Sequence, residues 1–327
     1  MSFKLKILIT GSSGEIGANL ALKLKKEGHE VFGIDKRKNT WTNEFEYIML
    51  DLSQKFTNFE NGFGNIEIPF KPDVVVHLAA NAKVHELVKY PTRAFDNTQI
   101  TLNVLEYCRQ HNLPIIFSSS REVYGDIKRF RTEEEKVNVY YTESPYSASK
   151  IAGEAFIYAY AKCYNMKYII FRFSNVYGRY DWDIDRMERV IPLFIQKIMR
   201  NEPITVFGKD KTLDFTFIDD CVDGMYQAVL KIYSGEIRAE TINLAYGEGH
   251  TLLELVEHIN KHLGKNVTPK VEDSKIGEVT YYIADIAKAK KLLGYNPQTP
   301  LGEGIRKAIE NYKNSKEYQA LMQGKNE

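Results

Sequence analysis

The sequence has almost no net charge. Its 44 basic and 43 acidic residues leave a formal +1, so no global field draws the chain to nucleic acid or to an anionic membrane, and any anion site must be local. It also lacks a long apolar run: nothing approaches the ~20 residues that span a bilayer. The start, MSFKLKILIT, has neither the apolar length nor the small-residue cleavage site of a signal peptide, and the expectation is a cytoplasmic protein with no membrane partner. Cysteine is scarce. Cys108, Cys163 and Cys221 are an odd number, far apart and without metal-ligand partners nearby, which argues against a disulfide framework or a bound metal and for reduced core thiols. What is present, 43% hydrophobic and 27% charged residues over 327 positions, suffices for one large domain and a smaller lobe.

The organising stretch is KLKILITGSSGEIG, Lys4 to Gly17. An apolar run (Leu5, Ile7, Leu8, Ile9) stops at three glycines, Gly11, Gly14 and Gly17, and a helical pattern follows at Ile16, Leu20, Ala21 and Leu24. This reads as strand, tight turn, helix. Glycine suits the unusual backbone angles of such a turn and lets a pyrophosphate approach bare amides at a helix N-terminus, with Glu15 and Ile16 inside the same loop. The spacing is GxxGxxG rather than GxGxxG, and a glycine turn in an ordinary strand-helix unit is the alternative. Context favours a dinucleotide. Gly28 closes the helix, Glu30 to Ile34 reads as a second strand, and Asp35 falls at its end, where a carboxylate can hold an adenosine ribose.

Further along, Tyr47 to Leu50 reads as a short strand ending at Asp51 and Leu52, a place for a carboxylate to meet an adenine amino group. Asp73 to Leu78 is a continuous apolar run of the kind found in parallel sheets covered on both faces. It is followed by Ala79 and Ala80, small enough for a cofactor to lie close at the carboxyl end of the strand. Ala94 to His111 is helical, with Phe95, Leu102 and Leu105 on one side, and Pro114 to Phe117 is the next strand. This alternation predicts an α/β fold with a doubly wound parallel sheet.

Candidate chemistry follows that strand. Ser118, Ser119, Ser120, Arg121 and Glu122 come first, and Tyr146 and Lys150 share a helix face four residues apart. A tyrosine of pKa about 10 is a poor base at neutral pH, but a neighbouring ammonium and an oxidised nicotinamide both stabilise the phenolate. A fall of about three units needs roughly 4 kcal/mol. Ser120 is then placed to hydrogen-bond the same substrate hydroxyl. A surface tyrosine and lysine at helical spacing is the plainer alternative.

In their joint order these motifs resemble the extended short-chain dehydrogenase/reductase family, the nucleotide-sugar epimerases, dehydratases and decarboxylases. The resemblance rests on GSSGEIG, Asp35, Asp51-Leu52, HLAA from His77, Asn97, SSSREVYG from Ser118 and SPYSASK from Ser144. It continues through RFSNVYG from Arg172, DFTFIDD from Asp214 and the tail from Gly277. It implies a Rossmann domain of residues 1–176 plus 214–249 and a smaller α/β nucleotide-sugar lobe of 177–213 plus 250–327. It implies Tyr146 and Lys150 as the catalytic pair with Ser120 assisting, and NAD held by the glycine loop, Asp35, Asp51, Leu52, Leu78, Ala79, Ala80, Asn97 and Lys150. Asn175 and the segment from Val190 would meet the substrate diphosphate. Two arginines usual in the family are replaced here by Leu213 and Lys275, leaving Lys209, Lys211 or Lys275 as point charges for that group. A homodimer through the helices Ala94 to His111 and Tyr146 to Cys163 is also implied.

Within that resemblance the leading activity is an NAD-dependent 4-epimerase acting through a 4-keto sugar. Asp35 favours NAD over NADP by repelling a 2′-phosphate, although Lys36, Arg37 and Lys38 soften the preference. Glu122 stands where dehydratases and decarboxylases keep a glutamate, and Arg121 where dehydratases have an aspartate, so a decarboxylase or 4,6-dehydratase is the alternative. A non-catalytic dinucleotide sensor is the reading from another class. Arg121 points either to an acidic sugar, such as a uronate, or to a partner within the chain: Glu122, Asp126 or an acid of 133–135.

Overall fold

The computed structural model describes residues 4–126, 131–185, 189–275, 277–315 and 318–319. The first three residues of the expected cofactor domain and the end of the expected second lobe lie outside them.

The apolar runs become a seven-stranded sheet in the spatial order Ala239–Leu244, Tyr168–Phe173, Ile115–Ser120, Val74–His77, Lys6–Thr10, Glu30–Asp35, Glu46–Met49. Every neighbouring pair in it is parallel. Successive side chains of a strand point to opposite faces, and both faces are covered. Ile7 and Ile9 pack with Leu20 and Leu24 of helix Glu15–Lys26 on one side, while Leu8 joins Val104 and Leu105 of helix Thr92–His111 on the other. Lys6–Thr10 has Glu30–Asp35 on one side and Val74–His77 on the other. Strand order therefore reverses at the glycine loop, where open α/β sheets leave a crevice beyond their carboxyl ends.

A smaller α/β body sits across that crevice. Its central strand, Thr212–Phe217, pairs with Asn175–Tyr177, Gly249–Thr251 and Tyr281–Tyr282, and a separate parallel pair joins Thr205–Phe207 to Lys270–Glu272. Helix Leu252–Leu263 packs against both Val190–Met199 and Leu301–Asn314 beside it. Among the described residues no helix is long and apolar enough to cross a membrane.

Two expectations for side chains fail. Phe95 is 71% exposed while Leu105 is fully buried, and the first turns of the helix bury Asn97, Ile100 and Thr101 instead. Cys163, near the end of helix Pro145–Tyr164, is exposed, so only Cys108 and Cys221 are core thiols.

Strand Tyr168–Phe173 and helix Pro145–Tyr164 are tied by a buried ion pair. Arg172 donates through Nε and Nη2 to both oxygens of Glu154, at 2.9 and 2.6 Å, and both side chains are at most 5% exposed. Removing one partner strands the other charge in a dry interior. Glu154→Gln is expected to lower unfolding free energy by about 3–5 kcal/mol, read as a shift of the denaturant midpoint at unchanged slope.

Candidate active site

The glycine loop is shaped by close approach. Gly11 has φ +76°, and a Cβ there would lie 2.7 Å from the Ala79 amide; one on Gly17 would lie 2.3 Å from the Gly11 carbonyl oxygen. Any side chain would push the loop from its neighbouring strand or its own helix. Gly14 is the N-cap of helix Glu15–Lys26 and offers no side-chain cap, so the first-turn amides are left for an outside acceptor, with the helix dipole favouring an anion. Asp35 closes this end. Its carboxylate accepts from the backbone N–H of Ser13 and of Arg37, each at 2.9 Å.

These groups line one cleft of about 450 Å³ between the large sheet and the smaller body. Its wall includes Gly11, Gly14, Glu15, Ile16, Gly17, Asp35, Asp51, Leu52, Leu78, Ala79 and Ala80. Asn97 is not part of that wall. It is 4% exposed and spends its amide on the backbone of Asn81, accepting at 2.7 Å and donating at 3.0 Å, and on Ser149 Oγ at 3.0 Å. Through these bonds it sets the course of the chain after Ala80, which lines the cleft. Glu15 also has a different partner. Its carboxylate is paired with Arg189, which donates as well to the Val176 carbonyl at 2.9 Å. Arg189 was not singled out in the sequence, although an acid inside a phosphate-binding loop calls for a nearby base.

The candidate catalytic residues come from two adjoining elements. Ser120 ends the strand Ile115–Ser120, and its hydroxyl accepts from the Glu122 N–H at 3.2 Å, capping the short helix Arg121–Tyr124. Tyr146 and Lys150 lie in the first turns of Pro145–Tyr164, a helix started by a reciprocal Ser144–Ser147 cap and by Pro145. All three line the cleft. Burial pushes the Tyr146 phenol up to about 12, against a hydrogen bond from Ser120 that lowers it. Burial pushes the Lys150 ammonium down to about 8, partly offset by Glu154. The expected lowering of the phenol by the lysine is therefore not achieved by the chain alone. Lys150 Nζ donates to the Ser118 carbonyl at 2.7 Å and stands 5.8 Å from the Tyr146 ring centroid, too far to outweigh desolvation.

Beside them, Arg121 and Glu122 form a buried pair at 2.9 Å. Arg121 also donates to Asn175 Oδ1 at 3.4 Å. Of the two sequence readings of Arg121, the partner within the chain is the one observed; Asp126 is occupied instead by Thr280 and the Tyr281 amide. Burial raises the Glu122 carboxyl despite Arg121 and Lys211. Across the cleft stand Val190, Lys211 and Lys275. Lys211 is paired with Glu278 at 2.8 Å, and the Lys275 ammonium lies 4.3 Å from the Phe207 ring centroid. Lys209 is exposed outside the wall.

Residues 7–245 match the model of the NAD dependent epimerase/dehydratase family. A protein of Methanocaldococcus jannaschii named as a putative UDP-glucose 4-epimerase is 30% identical over 94% of this chain and 99% of its own length. Among solved structures, UDP-glucose 4-epimerase of Thermotoga maritima with UDP-glucose superposes with TM-score 0.84 at 27% identity, covering 94% of this chain and 99% of that one. The UDP-glucuronic acid 4-epimerase of Bacillus cereus, in complex with UDP-glucuronic acid and NAD, gives TM-score 0.81 at 28% identity, with 94% and 99% covered.

The depressed Lys150 has a thermodynamic consequence. Its folded pKa of about 8 lies below the ordinary 10.5, so between those values the unfolded chain binds more protons and stability rises with pH. Relative to Lys150→Met, the native protein is expected to gain about 3 kcal/mol between pH 8 and 10.5. Paired denaturant titrations across that range read the difference; a flat difference contradicts the desolvated ammonium.

Proposed function

The chain belongs to the NAD-dependent epimerase/dehydratase family, and from that premise we propose that it is a nucleotide-sugar 4-epimerase working through a 4-keto intermediate. The observation that carries the reading is the convergence of Ser120, Tyr146 and Lys150 on one cleft with the glycine loop and Asp35. Open first-turn amides, the side-chain-free approach at Gly11 and Gly17, and the carboxylate of Asp35 fit a dinucleotide. Bound NAD supplies the hydride acceptor and donor and, when oxidised, a positive charge.

In this reading Tyr146 takes the proton of the C4 hydroxyl and later returns one. Ser120 holds that hydroxyl in line, and Lys150 fixes the helix turn below through the Ser118 carbonyl. Asn175, Val190, Lys211 and Lys275 face the nucleotide diphosphate, the lysines as point charges in place of guanidinium forks. Uridine as the base rests on the names of the relatives. Pairing of Arg121 with Glu122 balances the guanidinium's charge without a substrate carboxylate, although Arg121 Nη1 is buried with no hydrogen-bond partner, so a neutral sugar leaves no net charge stranded there. The division into 1–176 plus 214–249 and 177–213 plus 250–327, a cytoplasmic location, and a homodimer through helices Thr92–His111 and Pro145–Tyr164 belong to the same proposal; exposed Phe95 and Tyr164 on those helices support the last.

Incubation of the protein with UDP-glucose and UDP-glucuronate is expected to give 4-epimers with no net cofactor reduction. Tyr146→Phe should lower turnover about a hundred- to ten-thousandfold. Released carbon dioxide or a stable 4-keto-6-deoxy product would replace this reading with the decarboxylase or dehydratase one. The kcat/KM for UDP-glucuronate is expected not to exceed that for UDP-glucose by as much as about tenfold, since one unopposed charged contact would be worth roughly that much or more. A larger preference means that substrate displaces Glu122 from Arg121.

A further inference from the structure

Two loops from opposite sides of the cleft meet over the glycine loop. The first follows strand Glu30–Asp35. Ser13 Oγ donates to the Arg37 carbonyl at 3.1 Å, Asn39 N–H to the Tyr47 hydroxyl at 3.0 Å, and Trp41 N–H to Asn39 Oδ1 at 3.0 Å. The Trp41 indole N–H then reaches back to the Ser13 carbonyl, within the glycine loop itself, at 2.8 Å.

The second loop follows strand Asn175–Tyr177. Arg179 Nε donates to Asn19 Oδ1 at 2.6 Å, Asn19 Nδ2 donates to the Arg179 carbonyl at 2.9 Å, and Arg179 pairs with Asp219 at 3.0 Å. Asp181 accepts from the Gly178 N–H at 3.0 Å and from the Tyr312 hydroxyl. Between these anchors Tyr180 has φ +72°, a left-handed conformation that bulky residues rarely adopt and that persists only where the surroundings enforce it. The enforced turn lays the Tyr180 ring on Trp41, with centroids 5.4 Å apart and planes 22° apart, and Trp182 meets Trp41 edge-on at 5.3 Å.

Neither Trp41 nor Tyr180 is a core residue. Both are half-buried, and both line the cleft beside Ser13, Gly14, Asp35 and Arg37. A strained backbone that delivers a ring to a partner across a cleft does little for the core but joins the two rims. We propose that Trp41 and Tyr180 form a clasp over the dinucleotide seat, and that its opening, which separates the rings and the indole–Ser13 bond, limits release of bound NAD. They act as cofactor-retaining residues, contributed one from each side of the cleft. The claim needs NAD binding alone and does not depend on which sugar is turned over.

The test loads the full-length protein with NADH, chases with excess NAD and follows loss of the bound-cofactor fluorescence, with no sugar present. Trp41→Ala and Tyr180→Ala are each expected to speed dissociation about tenfold, the combined worth of an aromatic contact and one hydrogen bond, with association no slower than in the unaltered protein. Trp41→Phe, which keeps a ring but loses the indole donor, should fall between and guards against misfolding of the alanine variants. Because either loss opens the same clasp, the double variant should release no faster than about twice the faster single one. Dissociation sped less than about threefold in both alanine variants, or a double-variant rate equal to the product of the single effects, overturns the clasp.

Discussion

The bidentate contact between Arg172 and Glu154 is the constraint on which the candidate active site depends. Tyr146, Lys150 and Glu154 recur every four residues along one helix, so they form a single stripe. Glu154 fixes the far end of that stripe. It receives the Arg172 guanidinium and also the Ser119 hydroxyl at 2.5 Å, and Ser119 and Arg172 are register partners in adjacent strands. The strand that ends in Ser120 and the helix that presents Tyr146 are thereby locked in rotation about each other. Arg172 extends the lock to Tyr124 at 3.1 Å and to the Glu134 carbonyl at 2.6 Å, and Tyr124 passes it to Asn243 at 2.5 Å in the last strand of the large sheet. A packed apolar layer could cost less in desolvation, but apolar contacts slide; a fork of charged hydrogen bonds does not.

What the sequence made legible is what is local. The glycine loop, Asp35, and the Tyr146 and Lys150 pair each depend on spacings of a few residues within one strand-turn-helix or one helix face, and those spacings carry their geometry with them. The parallel sheet was legible for the same reason, since runs such as Val74 to His77 are apolar without alternation. The partners of Glu15 and Trp41 were not, because they lie 174 residues away at Arg189 and on a loop of the smaller body at Tyr180. The partners of Asn97 were hidden for a related cause: a motif marks that a residue matters near a site without giving the chain segment, here Asn81, that it holds. Phe95 misled because helical periodicity reports which residues share a side of a helix and not which of them another element covers.

The electrostatics of the cleft show a second kind of economy. Burial holds the Tyr146 phenol protonated near 12 and draws the Lys150 ammonium down toward 8, so at neutral pH the lysine keeps most of its charge while the phenol is held from ionising. Glu122 is likewise pushed toward its neutral form. Other charges of the cleft are matched in pairs, Lys211 by Glu278 across from the tyrosine and Arg121 by Glu122 beside it.

The chain has only two tryptophans, and Trp41 and Trp182 touch each other edge to face. All of its indole emission therefore originates at one spot on the rim of the cleft, beside the glycine loop, where Trp182 also rests against the edge of the large hydrophobic core. Ultraviolet fluorescence of this molecule is a local gauge, blind to the far side of the sheet. An unfolding curve followed by that signal would record the parting of two loops, and a curve followed by backbone circular dichroism would record the loss of the sheet. Any gap between the two would measure how independently the rim can move while the rest of the fold stays intact.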